Sequence, residues 1–391
     1  MTASKRLDSL VEFVGGGTPS RKVPEFFTGK IPWVSPKDVK TWEIHDSEEH
    51  ITQAAVTAST TRIIQPGAVL LVIRSGVLKH SLPVAINRVP VALNQDMKAL
   101  VCNGSVCAEY LAHYLKANEA RLLQHVRGTT ADNIPTDILK RTEIPLPPLP
   151  EQRRIAAILD TADAIRRKRE EGVRLTEELL LSAFLEIFGD PATNPKGWPI
   201  APFLEACDSR LGKMLDAKKQ TGALKKPYMR NFNVQWGRLD LSSVFEMDFA
   251  EEEREEFRLK HGDVLICEGG AGVGQTAIWH DELSECYFQK SLHRVRPKPT
   301  KATSQYISSL MWFLMQSGSI LGAISTATIP HLTGEKLKTV RIPLPPYDYQ
   351  ARYETIAYSL ASIASKRKHA ASEATALFGS LVQRAFRGQL S

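Results

Sequence analysis

A chain of 391 residues with 43% hydrophobic and 24% charged residues has the composition of an ordinary folded protein, long enough for two or three cores. Its net charge of +7 suits a nucleic-acid partner without requiring one. The opening "MTASKRLDSLVEF" lacks the apolar core of a secretory leader, and no apolar run reaches the roughly 18 residues of a membrane span, so a cytoplasmic protein is expected.

In chain order, residues 1–143 are the first expected domain. They carry "GGGTPS" (Gly15 to Ser20), suited to a helix cap or a phosphate grip, and "WVSPKD", which places Lys37 after an aromatic strand. "PGAVLLVIRSG" (Pro66 to Gly76) follows, and its loop "RSGVLKHS" offers Arg74, Lys79 and His80. Gln95 lies in "ALNQDM" and Tyr110 in "CAEYLAHYL".

Residues 144–190 open on Ile-Pro-Leu-Pro-Pro. Three prolines in five residues remove three backbone donors and lock φ, so an extended connector is expected. Glu151 to Phe188 contains no proline, and apolar or small residues recur at Ile155, Ile158, Ala162, Ile165, Leu175, Leu179, Ala183 and Ile187. That spacing predicts a helix of about 57 Å, far longer than the globular average. "FGDPATNPKGWPIA" (Phe188 to Ala201), rich in glycine and proline, ends it.

Residues 191–341 are the second expected domain, with Arg230 and Asn231 in "YMRNFN" at the spot matching Lys37, Gln275 in "GGAGVGQT", and Gln289 and Lys290 in "YFQKSL". Ile-Pro-Leu-Pro-Pro then returns at Ile342, opening residues 342–391. Ile356, Leu360, Ile363, Ala370, Ala374, Leu377, Leu381 and Ala385 repeat the helical spacing.

The chain is a tandem duplication. A shift of 198 places Ile144 on Ile342, Gln152 on Gln350, Lys168-Arg169 on Lys366-Arg367 and Phe188 on Phe386. Earlier in each half the order persists at a shift near 195, with Gln95 matching Gln289 and Tyr110 matching Tyr306. Two long helices with apolar stripes are expected to pair through Ile158, Ala162, Ile165, Leu179, Ile356, Leu360, Ile363 and Leu377. A pseudo-two-fold axis would make them antiparallel and the molecule a dumbbell. The expected fold is α+β: two mixed α/β heads in tandem, each followed by a long helix of an antiparallel coiled coil.

No catalytic constellation emerges. "GGAGVGQT" (Gly269 to Thr276) resembles a phosphate-binding loop, but Gln275 stands where the lysine is needed, and strand and turn follow instead of a helix. A tight turn exposing a hairpin is the better reading. "NPKG" at Asn194 lacks the second proline and aromatic of an amino-methyltransferase, and Asp263 and Glu268 lack the following lysine of a nuclease. The ten histidines have no metal-site spacing and read as surface or satisfied core residues; "EEEREEF" (Glu251 to Phe257) reads as a solvated helical turn. The five cysteines form no CxxC pair and read as buried free thiols. Two related heads on a rigid spacer suit a partner with two sites, and DNA half-sites fit. Base reading requires Arg, Lys, Asn or Gln on loops, which gives the candidates Lys37, Arg74, Lys79, His80, Gln95, Arg230, Asn231, Gln275, Gln289 and Lys290.

"RTEIPLPPLPEQRRIAAILDTADAIRRKR" and "TVRIPLPPYDYQARYETIAYSLASIASKRK", with "GGTPS", "IPWVSPKDV", "GAVLLVIRSG", "NQDMKAL" and "FGDPATNPKGWP", resemble the specificity (S) subunit of type I restriction–modification systems. The resemblance covers essentially the whole chain. One departure is Tyr-Asp-Tyr-Gln in the second copy, where the family usually has an acidic residue before the glutamine. The resemblance implies a non-catalytic subunit whose heads are target recognition domains, each reading half of an asymmetric double-stranded DNA site. It further implies that the helices hold two methyltransferase (M) subunits and that restriction (R) subunits join. S-adenosylmethionine, ATP and Mg would be used by those partners and no cofactor bound by this chain. The alternatives are a specificity subunit for a fused nuclease–methyltransferase, and a bivalent coiled-coil scaffold that binds no DNA.

Overall fold

Both halves of the chain share most of their strand pairings, though their sequences have otherwise diverged. The computed structural model describes residues 3–126, 132–216, 220–320, 324 and 331–390. It divides into two units, Met1–Glu170 with His369–Ser391, and Glu171–Lys368. The divisions fall inside the two long helices, whereas the sequence suggested boundaries at 143/144, 190/191 and 341/342.

In the first unit a sheet runs in the order Val11–Gly15, Met97–Cys102, Val69–Val72, Val84–Asn87, Glu43–Ile44. All neighbours are antiparallel except the last pair. Val69–Val72 is buried throughout, because the helix Ala108–Ala117 packs on it and its neighbour Val84–Asn87. A smaller sheet orders His50–Ile51, Ile31–Val34, Ala92–Leu93. In the second unit the larger sheet is Cys207–Leu211, Leu292–Pro297, Val264–Cys267, Thr276–Ile278, and the smaller one Phe245–Asp248, Lys225–Met229, Tyr287–Phe288. The helix Ser304–Gln316 takes the place of Ala108–Ala117.

The expected turn in "GGAGVGQT" is there: Gly270–Gly272 closes the hairpin between Val264–Cys267 and Thr276–Ile278. Glu251–Phe257 is a short helix with no buried residue. Cys207, Cys267 and Cys286 are buried, whereas Cys102 and Cys107 are only half-buried, and all five are free.

The Pro phrases are extended, as expected, but they are also paired. Glu143–Pro145 forms a ladder with Ser4–Arg6, and Arg341–Pro343 with Ile200–Pro202. Two-stranded pairs tolerate proline because a donor is needed on one side only. Each phrase leads into a helix of 40 residues, Leu149–Phe188 and Tyr347–Phe386.

Within each unit the helices run antiparallel. In the first, Arg154 bonds the Leu390 carbonyl, while twelve residues later Arg166 lies over the Phe378 ring. In the second, Arg367 donates to the Gly172 carbonyl at 2.7 Å, and Phe184 meets Tyr353. The expected seam is displaced. Ile165, Leu179, Ile356, Ile363 and Leu377 are 39–59% exposed, and Ile158, Ala162 and Leu360 are half-buried. The buried helix positions are Gln152, Ile155, Ala156, Leu159, Asp163, Thr176, Phe184, Phe188, Gln350, Tyr353, Ala357, Ala371 and Ala385. Small, polar and aromatic side chains, with Ile155 and Leu159, together fill the inner face, and Ile165, Leu179, Ile356, Ile363 and Leu377 are turned outward.

Candidate nucleic-acid interface

Backbone hydrogen bonds set the register between the two heads. The Asn94 N–H donates to the Val34 carbonyl at 3.0 Å, and the Gln289 N–H to the Met229 carbonyl at 3.0 Å. Ile73 donates to Asp96 and Glu268 to Ser291, both at 2.9 Å. Asn94 is therefore the counterpart of Gln289, and Gln95 that of Lys290. The sequence match of Gln95 with Gln289 was one residue out.

The preceding turn needs a similar correction. Asp38 accepts from the Ser35 N–H at 2.8 Å, and Asn233 accepts from the Arg230 N–H at 3.1 Å. These are the same turn, so Ser35 corresponds to Arg230, Pro36 to Asn231, and Lys37 to Phe232. A loop has no periodicity from which such an offset could be read.

The glycine run also finds a reason. A Cβ on Gly16 would lie 1.9 Å from the Asn94 carbonyl oxygen, and one on Gly212 would lie 2.4 Å from the Gln289 backbone. Both glycines allow the chain to press against the 94 and 289 turns. "GGGTPS" thus braces a turn, and the short 3-10 helix that follows, Pro24–Phe27, has its N-cap at Val23, outside that run.

In the first head the turn at Asn94–Asp96 gathers three candidates. Arg74 Nε donates to Asp96 at 2.5 Å, the Thr18 hydroxyl donates to the exposed Gln95, and Lys37 faces Gln95 across a recess of about 300 Å³. Arg21, which sequence reasoning passed over, lines the same recess. Its guanidinium lies 4.1 Å from the Phe27 ring centroid and 5.2 Å from that of Trp33, and it pairs with Glu49 through two bonds of 2.9 and 2.6 Å. That fork holds the Glu49 carboxyl below its ordinary pKa. Lys79 and His80 are exposed on the hairpin turn Gly76–Lys79 and beside it, with Lys79 3.9 Å from Asp132.

In the second head three loops converge. The Asn231 N–H donates to the Ser291 hydroxyl at 3.1 Å, and a Cβ on Gly270 would lie 3.9 Å from the Asn231 amide. Gln289 is half-buried and accepts from the Ser291 N–H at 3.2 Å, while Lys290 is exposed. Gln275 is half-buried, and its N–H closes the glycine turn on the Gly272 carbonyl at 2.9 Å. Arg230 stacks on the Phe245 ring at 3.5 Å. The surface combines amide, cationic and aromatic groups, which can meet base edges and phosphates.

The sequence profile of the type I restriction modification DNA specificity domain matches residues 2–175 and 195–357, one match per half. The chain belongs to this family. It is similar to the EcoR124I/EcoR124II specificity subunit of Escherichia coli, 36% identical over 178 residues, a match spanning 45% of this chain and 44% of that protein. The MjaIX specificity subunit of Methanocaldococcus jannaschii is 24% identical over 395 residues, covering 91% of this chain and 86% of the relative. The fold resembles that of the type I S subunit from M. genitalium, with a TM-score of 0.62 at 14% identity, covering 98% of this chain and 96% of the other. A chain solved in work on complex assembly and conformational transition of the type I R-M system gives 0.55 at 20% identity, covering 99% and 98%. The S-family member thus carries two specificity domains in tandem, as its repeat indicated. Among the described residues no helix is long and apolar enough to cross a membrane.

Proposed function

We propose that the chain reads a bipartite, asymmetric double-stranded DNA site, one half with each head. The observation that carries this is a shared set of backbone bonds around the loops, with tips that differ. Lys37 stands where the other head has Phe232, and Gln95 where it has Lys290. A common frame fixes how each head sits on a duplex. Where one head offers a lysine for phosphate the other offers a side chain for base edges, so the two heads make unlike base contacts, as a non-palindromic site requires. Exposed lysines such as Lys37, Lys79 and Lys290 would supply salt-sensitive phosphate contacts.

The paired helices are proposed to hold two M subunits, with R subunits joining. The outward residues support this. Ile158, Ala162, Ile165 and Leu377 line a groove of about 520 Å³ in the first unit. A shift of 198 carries each to its counterpart, Ile356, Leu360, Ile363 and Leu179 lying in the second unit. Two equivalent apolar faces fit two copies of one partner. Methyl transfer from S-adenosylmethionine and ATP- and Mg-dependent cleavage belong in this reading to the partners, in the cytoplasm, and this chain performs no chemistry.

The test exchanges residues 1–143 for the matching head of a relative and maps methylation across a host genome that also supplies the M subunits. One half-site should change and the other remain. Both changing, or neither, would overturn the two-head reading, and the second outcome would favour a protein scaffold that does not touch DNA.

A further inference from the structure

Phe232 is 75% exposed, the most exposed large hydrophobic residue among those described. It is not on a loose loop. The turn Asn231–Asn233 is held by the buried Asn233, whose amide donates to the Asp240 carbonyl at 2.8 Å and to the Ser243 carbonyl at 3.0 Å. The Arg230 guanidinium, stacked on Phe245, lies 5.5 Å from the Phe232 ring. Ser291 fastens this turn to the loop bearing Lys290, so the ring emerges beside cationic and amide groups. A rigidly presented phenyl ring costs solvation unless a partner covers it, and a cationic border favours a polyanion.

We infer that Phe232 is a specificity-determining contact of the second head, and that the group it selects is the C5-methyl of a thymine in the major groove. This rests on the DNA reading above. The thymine methyl is the one apolar group that base edges display in that groove, and an aromatic side chain is suited to it. The polar neighbours would hold the surrounding edges and phosphates. The first head has Lys37 at the equivalent position, a charged tip suited to phosphate, so the two heads differ here in the kind of group they meet.

The full-length chain assembled with its M subunits is the test. Methylation mapping first gives the half-site of the second head, and duplexes are then made with deoxyuridine replacing each thymidine in turn, which removes only the methyl. Wild type should lose about three- to tenfold in affinity at one position. Phe232→Ala should lose about as much on the thymidine duplex and nothing further on the deoxyuridine one. The slope of log affinity against log salt should be unchanged, because an apolar contact releases no counterion. With the side chain this exposed, the melting temperature should match wild type, and Phe232→Leu should recover part of the affinity.

The inference is overturned by a half-site without an A·T pair, by wild-type affinity in Phe232→Ala, or by equal losses on both duplexes at every position. Loss of M-subunit binding with normal DNA affinity would make Phe232 a protein contact instead. If the wild-type complex shows no defined site at all, the DNA reading itself fails, and that result is distinct from each of the others.

Discussion

Gln350 accepts a hydrogen bond from the backbone N–H of Thr303 at 3.1 Å, tying the start of a long helix to the cap of the head helix Ser304–Gln316. Its Nε2 donates to the Lys301 carbonyl at 3.0 Å and the Pro345 carbonyl at 2.8 Å. Gln152 repeats the arrangement with the Cys107 N–H at 2.9 Å, the Ser105 carbonyl at 3.2 Å and the Pro147 carbonyl at 2.8 Å. Tyr306 and Tyr110 donate to the carbonyls of Pro343 and Pro145 at 2.6 and 2.9 Å. The repeated Pro phrase is therefore a row of acceptors with few donors to satisfy, clamped by a glutamine and a tyrosine. Proline removes the N–H groups that this crowded joint could not pair.

Both glutamines are almost fully buried, so removing either leaves a backbone N–H and two carbonyls unpaired. Gln350→Ala and Gln152→Ala should each cost about 1–3 kcal/mol, a drop of roughly 2–10 °C in melting temperature. Calorimetry gives the size of the loss. Methylation mapping should show the recognised bases unchanged, because no base-reading loop is altered.

Lys37 and Gln95 face the same recess but should fail differently. Lys37→Ala should weaken binding to all sequences and reduce the salt slope by about one. Gln95→Ala should relax preference at one base position and leave the slope alone. Titrations of cognate and randomised duplexes at several salt concentrations would separate the two, and identical behaviour would remove one of them from the interface.

The outward apolar stripe is testable without unfolding the protein. Ile165→Glu and Leu377→Glu place charges on residues 49% and 59% exposed, so the isolated chain should keep its melting temperature. Co-purification of M subunits should fall sharply, since a docked apolar face cannot accommodate an unpaired carboxylate. Undiminished recovery of M subunits would place their docking site elsewhere.

His293 is fully buried, with Nε2 donating to the Leu332 carbonyl at 2.7 Å and Nδ1 without a partner. Burial holds its imidazole below the ordinary pKa, outweighing the pull of the carbonyl. The unfolded chain therefore takes up the proton first, at about pH 6.5. The stability from neutral His293 is full above that pH and declines as pH falls from there through the lowered folded pKa. Melting temperature should drop more between pH 7 and pH 5.5 in wild type than in His293→Gln, and parallel curves would show that His293 is not responsible.

The duplication, the two long helices and the hairpin at "GGAGVGQT" were legible because each is written locally, in repeated words, helical spacing and turn residues. The seam was not. Spacing alone cannot distinguish two stripes on one helix, and the larger Ile165, Leu179, Ile363 and Leu377 were chosen over Ala156, Asp163, Thr176 and Ala371. The inner stripe mixes small and polar residues with large aromatics because heads and helices share it, with Phe386 against Tyr110 in one unit and Phe188 against Tyr306 in the other. In the candidate loops only the pairing between the heads was offset, by one or two residues: Gln95 was set against Gln289 where Lys290 stands, and Lys37 against Arg230 and Asn231 where Phe232 stands.

By itself the sequence determined the tandem plan and the family. Those follow from backbone propensities and from patterns repeated along the chain. Only the tertiary structure decided which residues are equivalent, which face of each helix is covered, and that Phe232 stands in the place of Lys37. Such matters depend on hydrogen bonds between residues far apart in sequence, Asn94 to Val34 and Gln289 to Met229, and no local pattern encodes them.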